Sequence, residues 1–153
     1  MTTALRSANL VKDTTVFLKS FLTTNIADPI TTTRSSDSAF VLTHYPVGKK
    51  IEYPLITVVK MNKKDRKLGM QSEVRLITIT MEVRVWARNP VERDSISDEI
   101  YNDIRDAEMT ANTGFAANSL HDLVLLSSVS VDEPEHSIPK SEVMEFQFMF
   151  ITA

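Results

Sequence analysis

Three histidines, His44, His121 and His136, supply the side chain most often used to hold a metal or move a proton near neutral pH. They stand far apart along the chain and no pair has ligand-type spacing, so we read them as turn and loop residues. Ser119, His121 and Asp122 bring a hydroxyl, an imidazole and a carboxylate close together in sequence. A nucleophile, base and orienting acid need a spatial geometry that chain neighbours do not supply, and no Gly-x-Ser-x-Gly turn is present. Asp94, Asp98, Glu99, Asp103 and Asp106 give repeated carboxylates, some one helical turn apart, which suit a hard cation or acid and base work. On a helix with an apolar stripe they read more simply as its solvated face. Gly48, Gly69 and Gly114 are isolated, so no glycine-rich phosphate loop can be built from them. The residues therefore give no catalytic set, no metal site and no cofactor site. A small metal-dependent enzyme or binding protein using the carboxylates and histidines stays open as a lesser alternative.

The compositional oddity is "VKMNKKDRKLGM", where Lys60, Lys63, Lys64, Arg66 and Lys67 crowd around a single acid, Asp65. Its position between two predicted strands makes it the cap of a long hairpin. Two readings stand side by side: an arm that docks on an acidic surface or on phosphates, and a solvated loop whose charge blocks edge-to-edge aggregation. No aromatic residue is interleaved, which counts against stacking on single-stranded bases.

The remaining composition is that of an ordinary globular chain. Its 153 residues fit one domain, 1–153, with room for a core. Apolar residues make up 42% and charged residues 24%, and the formal net charge is -3, so no global excess of charge points to nucleic acid or a membrane surface. There is no cysteine, which excludes a disulfide framework and a thiolate metal site. The first residues carry Asp13 and lack a long apolar block, so they do not read as a signal peptide. No stretch approaches the roughly 20 apolar residues of a membrane span.

The hydrophobic periods give the elements that must position these residues. Leu10, Val11, Thr14, Phe17, Leu18 and Phe21 form a stripe at three- and four-residue spacing, predicting a helix from about Thr3 to Leu22 that stops near Asn25. A polar loop, Thr23 to Ala39, follows, then a short strand at about Phe40 to His44 and a turn at Tyr45–Gly48. A second strand is expected over Ile51 to Met61, with Pro54 at an edge or bulge because it has no amide hydrogen to donate. The third, about Glu73 to Ala87, alternates Ile77, Ile79, Met81, Val83 and Val85 against Thr78, Thr80, Glu82 and Arg84. Asn89, Pro90 and Glu92 then open a helix with stripe Ile96, Ile100, Ile104 and Ala107, closed by Gly114. Two strands end the chain. In the first, Leu123, Leu125, Val129 and Val131 oppose Val124, Leu126, Ser128 and Ser130. In the second, Met144, Phe146, Phe148 and Phe150 oppose Glu145 and Gln147. The order α-β-β-β-α-β-β predicts an α+β fold, a mostly antiparallel sheet of about four to five strands with both helices on one face and a projecting β-hairpin.

This element order, with the strands "YPLITV" and "EVRLITITMEVRVWAR", the helix "NPVERDSISDEIYNDIRDA" and the closing "EVMEFQFMFITA", resembles the tail-terminator or tail-completion proteins of long-tailed bacteriophages and related viruses. The likeness runs from about Leu5 to the C-terminus and rests on patterns of strand and helix. It implies a virion structural protein with no reaction and no cofactor. Such a protein assembles in the host cytoplasm as a hexameric ring that caps the tail tube and meets the head-side connector. Its partners would be further copies of itself, the tail tube protein and a neck protein, with no membrane, and with nucleic acid only as the genome passing through the ring. The resemblance assigns contacts to the hairpin arm, Lys60 to Met70, and to the flanking strands, with the loop Thr23 to Ala39 as a further candidate. A head-completion or neck protein of the same kind of virus is the alternative.

Overall fold

The computed structural model describes residues 9–48, 50–70, 73–109, 115, 120–131 and 138–152. Helix α1 is Leu10–Asn25, strand β1 Val41–Leu42, β2 Leu55–Lys67, β3 Arg75–Ala87, helix α2 Pro90–Met109, β4 Leu120–Val131 and β5 Lys140–Thr152. The strands form one sheet in the order β1-β2-β3-β5-β4. Every neighbouring pair is antiparallel except β1 with β2. The chain is α+β, with α1 lying over β1 and β2 and α2 over β3, β5 and β4.

The core follows from two periods meeting. Ile77, Ile79, Met81, Val83 and Val85 on β3, and Met144, Phe146, Phe148 and Phe150 on β5, are buried on one sheet face. Leu10, Leu18 and Leu22 of α1 and Ile96, Ile100 and Ile104 of α2 close over them in one contiguous cluster. Phe115 joins the halves. Its ring stacks on Phe148 at 5.2 Å and meets Phe17 edge-on at 5.2 Å.

Both helix ends are built by side chains. In α1, the hydroxyls of Thr23 and Thr24 and the amide of Asn25 donate to the carbonyls of Lys19, Ser20 and Phe21 one turn back, at 2.8, 2.9 and 2.8 Å, as second donors to acceptors of the helix ladder, and the Ile26 amide closes the end on the Leu22 carbonyl. The expected first turn of this helix, residues 3–8, lies outside the described residues. In α2, Asn89 Oδ1 accepts from the Glu92 amide at 2.9 Å, as its N-cap position predicts. Glu92 does not reach back to Asn89. Its carboxylate accepts from the Arg88 amide at 3.1 Å and grips the Arg88 guanidinium, which holds it below its ordinary pKa against the opposing effect of burial. Asn89→Ala should lower stability by about 1 kcal/mol, read as a shifted urea midpoint at unchanged slope. Gly114, the expected end of this helix, also lies outside the described residues.

Three expectations need correction. Strand β2 starts after Pro54 rather than containing it, and runs on to Lys67, so the basic run is strand and not the cap of a hairpin. The long antiparallel register with β3, from Leu55↔Trp86 to Lys67↔Arg75, overrides the poor strand propensity of the lysines. In β4, Val129 and Val131 do not share a face with Leu123 and Leu125. Register shifts at His121/Val124 and Leu125/Ser127 invert the alternation. Ser128 and Ser130 therefore turn towards the helices, where their hydroxyls donate to buried Glu142, each at 2.6 Å, while Val129 is 56% exposed. β2 and β3 form the expected hairpin, and β3 stays paired with β5 as far as Thr152, so the hairpin lengthens the sheet and leaves the outer half of β2 as its exposed edge.

The loop between α1 and β2 is ordered by polar contacts. Arg34, its side chain 6% exposed, grips the Asp28 carboxylate and donates to the carbonyl of Glu52 at 2.9 Å and to that of Pro54. Burial alone would raise the Asp28 pKa, but the hydrogen bonds from Arg34 and from the Ile30 amide bring it below its ordinary value. The Ser35 amide and Lys50 bring the Glu52 carboxyl from 4.5 down to about 2. Both folded pKa values are depressed, so their stabilising effect is complete above the ordinary carboxylate values and is lost as pH falls through the lowered ones. Wild-type stability should fall between pH 4.5 and about 2 more than that of Glu52→Gln, measured by urea unfolding at stepped pH.

Candidate interaction surface

Strand β1 pairs with β2 at Ile56 and Thr57 alone. Beyond them the outer edge of β2 has no strand beside it among the described residues. α1 covers the first half of β2, and from Val59 to Lys67 every residue is exposed. A register shift between Lys60 and Asn62 makes Met61 the extra residue of a bulge, which bends the strand where its cover ends.

The register sets where the cations point. Lys60, Lys63 and Lys67 lie opposite Met81, Ile79 and Arg75 and so share the helix-bearing face. Lys64 and Arg66 lie opposite Thr78 and Leu76 on the other face. The one acid of the run, Asp65, is held by Arg75 at 2.8 Å and neutralises none of the five. Lys67 Nζ donates to the Met70 carbonyl at 3.3 Å. Exposed Val59, Met61, Leu68 and Met70 interleave the charges, so the edge is both basic and apolar. Such a surface can hold an anionic partner by many weak contacts.

The chemistry-bearing residues stay dispersed. His44 follows β1 at one lateral edge of the sheet and exposed His121 begins β4 at the other. His136 and Ser119 lie outside the described residues. Asp122 sits at the β4 bulge with a left-handed backbone, φ 48°. On α2, Asp94 pairs with Arg93 at 2.8 Å, Asp106 with Arg105 at 3.6 Å, and Asp98 and Glu99 are exposed. Among the described residues no group of three or more histidines and carboxylates could hold a metal ion. A cavity of about 80 Å³ beside Asp37, Leu42, Ile51 and Leu55 is well below the roughly 300 Å³ at which ligand pockets begin.

Two polar constellations escaped the sequence reading. Glu142 accepts from Ser128 and Ser130 and lies 3.9 Å from Arg93, tying β4 and β5 to the start of α2. Stepping back by two from Met144, Phe146 and Phe148 puts Glu142 on the core face, so the signal was present. On the face away from the helices, Trp86 lies between the Tyr45 ring at 4.7 Å and the Arg84 guanidinium at 5.0 Å, and its indole N–H donates to Thr57 at 3.1 Å. The Tyr45 and Tyr53 hydroxyls are 2.6 Å apart, and burial first and this contact second push the Tyr53 pKa up. Compared with known proteins, the chain matches no family model and finds no relative among curated proteins.

Proposed function

We propose that this chain is a virion structural protein, a tail terminator or completion subunit that forms a ring capping the tail tube and presents a surface to the head-side connector. The reading is supported above all by the open edge of β2, on which Lys60, Lys63, Lys64, Arg66 and Lys67 stand exposed beyond the reach of α1 and β1. A subunit that meets identical neighbours in a ring needs a surface of this kind, committed to partners and not spent on its own fold. In this role the protein carries out no reaction and takes no cofactor. Its partners are further copies of itself, the tube protein and a neck protein, and the genome passes through the ring. It is made in the host cytoplasm and resides in the tail or neck of the particle. A head-completion or neck subunit is the second reading, because an open basic edge suits either ring.

The test is solution mass by light scattering over a wide concentration range, with negative-stain images of every large species, repeated with purified tail tubes and with portal assemblies. A hexamer with a central hole that binds tubes is expected. Binding to portals alone would move the chain to the neck. A compact dimer with no ring under any of these conditions would overturn both readings.

A further inference from the structure

We infer that the outer half of β2 docks on the exposed face of α2 of a second copy of this chain. The inference rests on the proposal that copies of the chain assemble, and names the surface that receives the basic edge.

The acidic face of α2 is poorly satisfied within one chain. Asp98, Glu99 and Asp103 have no same-chain cation within ion-pairing distance among the described residues. Asp94 with Asp98, and Glu99 with Asp103, repeat like charge at the four-residue spacing that destabilises a helix. The last turn contains no basic residue to meet the helix dipole. The β2 edge has the opposite defect, five cations around one acid that Arg75 already holds. Lysines and a bulge oppose the addition of another strand to that edge, but a helix uses the side chains and not the strand's backbone groups.

The dimensions and the placement agree. Lys63 to Lys67 spans about 13 Å at the rise of a strand. On α2, Asp94 and Asp98 stand on one flank of the outer face and Glu99 and half-buried Asp103 on the other, and together they span about 13.5 Å along the axis at the rise of a helix. Approach at the strand edge lets Lys63 and Lys67 reach from one sheet face and Lys64 and Arg66 from the other. Exposed Val59 and Met61 on the edge, and Val91 and Tyr101 on α2, add apolar contact on each side. β2 lies towards one lateral side of the sheet, whereas α2 sits over β3, β5 and β4 towards the other. Complementary patches on opposite sides of one subunit make a head-to-tail contact, which closes into a ring when its rotation permits.

The test is zero-length carbodiimide coupling of amines to carboxylates in an equal mixture of ¹⁴N- and ¹⁵N-labelled full-length protein, free and on tail tubes. Mixed-isotope peptides joining residues 60–67 to residues 94–106 are expected. In parallel, Asp98→Lys with Glu99→Lys should weaken self-association about tenfold or more, as should Lys63→Glu with Lys64→Glu, and combining all four should recover much of the loss. Circular dichroism and a cooperative urea transition check that each variant is folded. Rings that survive the α2 reversals, or arm peptides coupled to some other surface, would overturn the inference and leave the ring proposal standing. A wild type with no assembly, free or on tubes, would overturn both.

Discussion

Replacing Lys63, Lys64 and Arg66 together by glutamate is expected to give a folded monomer that neither assembles nor binds tail tubes. The three side chains are exposed and none has an ion-pair partner in the chain among the described residues. Exposed substitutions of this kind change stability by about 0.5 kcal/mol or less each. The ladder with β3 uses backbone groups and is left intact. Deleting the segment would be a poorer experiment, because it would strip β3 of its β2 partner from Arg75 to Thr80 and leave it paired with β5 alone. The effect on association should be far larger than the effect on folding. Charges buried against opposite charges at an interface are worth roughly 2–5 kcal/mol when one partner is lost, and reversal adds repulsion to that loss. Three such positions predict a fall in affinity of at least about a hundredfold. Wild-type assembly should also weaken as salt is raised, since exposed charges are screened over about 8 Å at physiological ionic strength. A triple variant with wild-type mass distribution and tube binding would remove the basic edge from the mechanism.

How far the sequence led depends on whether the signal was local. Helix α2 was legible because its cap, its Pro90 start and its isoleucine stripe are all close-range features, and Asn89 caps as expected. β3 was legible because period-two alternation over its length has no competing explanation. β2 was cut short because lysines, asparagine and aspartate are weak strand formers, and what holds them extended is pairing with a strand that comes later in the chain. β4 was found, but its faces were inverted beyond the second bulge. A bulge displaces the pattern by one residue without leaving a compositional mark. The candidate surface divides the same way. Its five cations stood out by composition, but their division between two faces of an open edge came only from the register. The Arg34 clamp joins residues from both ends of a long loop, and no local period announces such a contact.

That clamp carries the largest stability effect expected of a single polar substitution. Arg34→Ala would leave the Asp28 carboxylate, 13% exposed, without its cation, and the Glu52 and Pro54 carbonyls without their donors. It would also remove the guanidinium lying 5.4 Å from the centre of the Phe40 ring. Breaking one side of a buried ion pair costs about 3–5 kcal/mol, and residual water at Asp28 argues for the lower end, about 3 kcal/mol. That is a large share of the roughly 5–15 kcal/mol by which domains are stable. Arg34→Lys should recover only part of it, because an ammonium cannot hold the carboxylate and two carbonyls in one planar fork. Asp28→Asn in the Arg34→Ala background should then cost little more, since the charge it removes is already unpaired. Urea unfolding of the three variants at neutral pH measures all of this. Equal stability of Arg34→Ala and wild type would mean that the loop is held by its apolar anchors, Ile26, Phe40 and Val41, and not by the clamp. The loop leads directly into β1 and β2, so a loosened clamp should also free the short β1 pairing at Ile56 and Thr57, seen as faster amide exchange there than in β3.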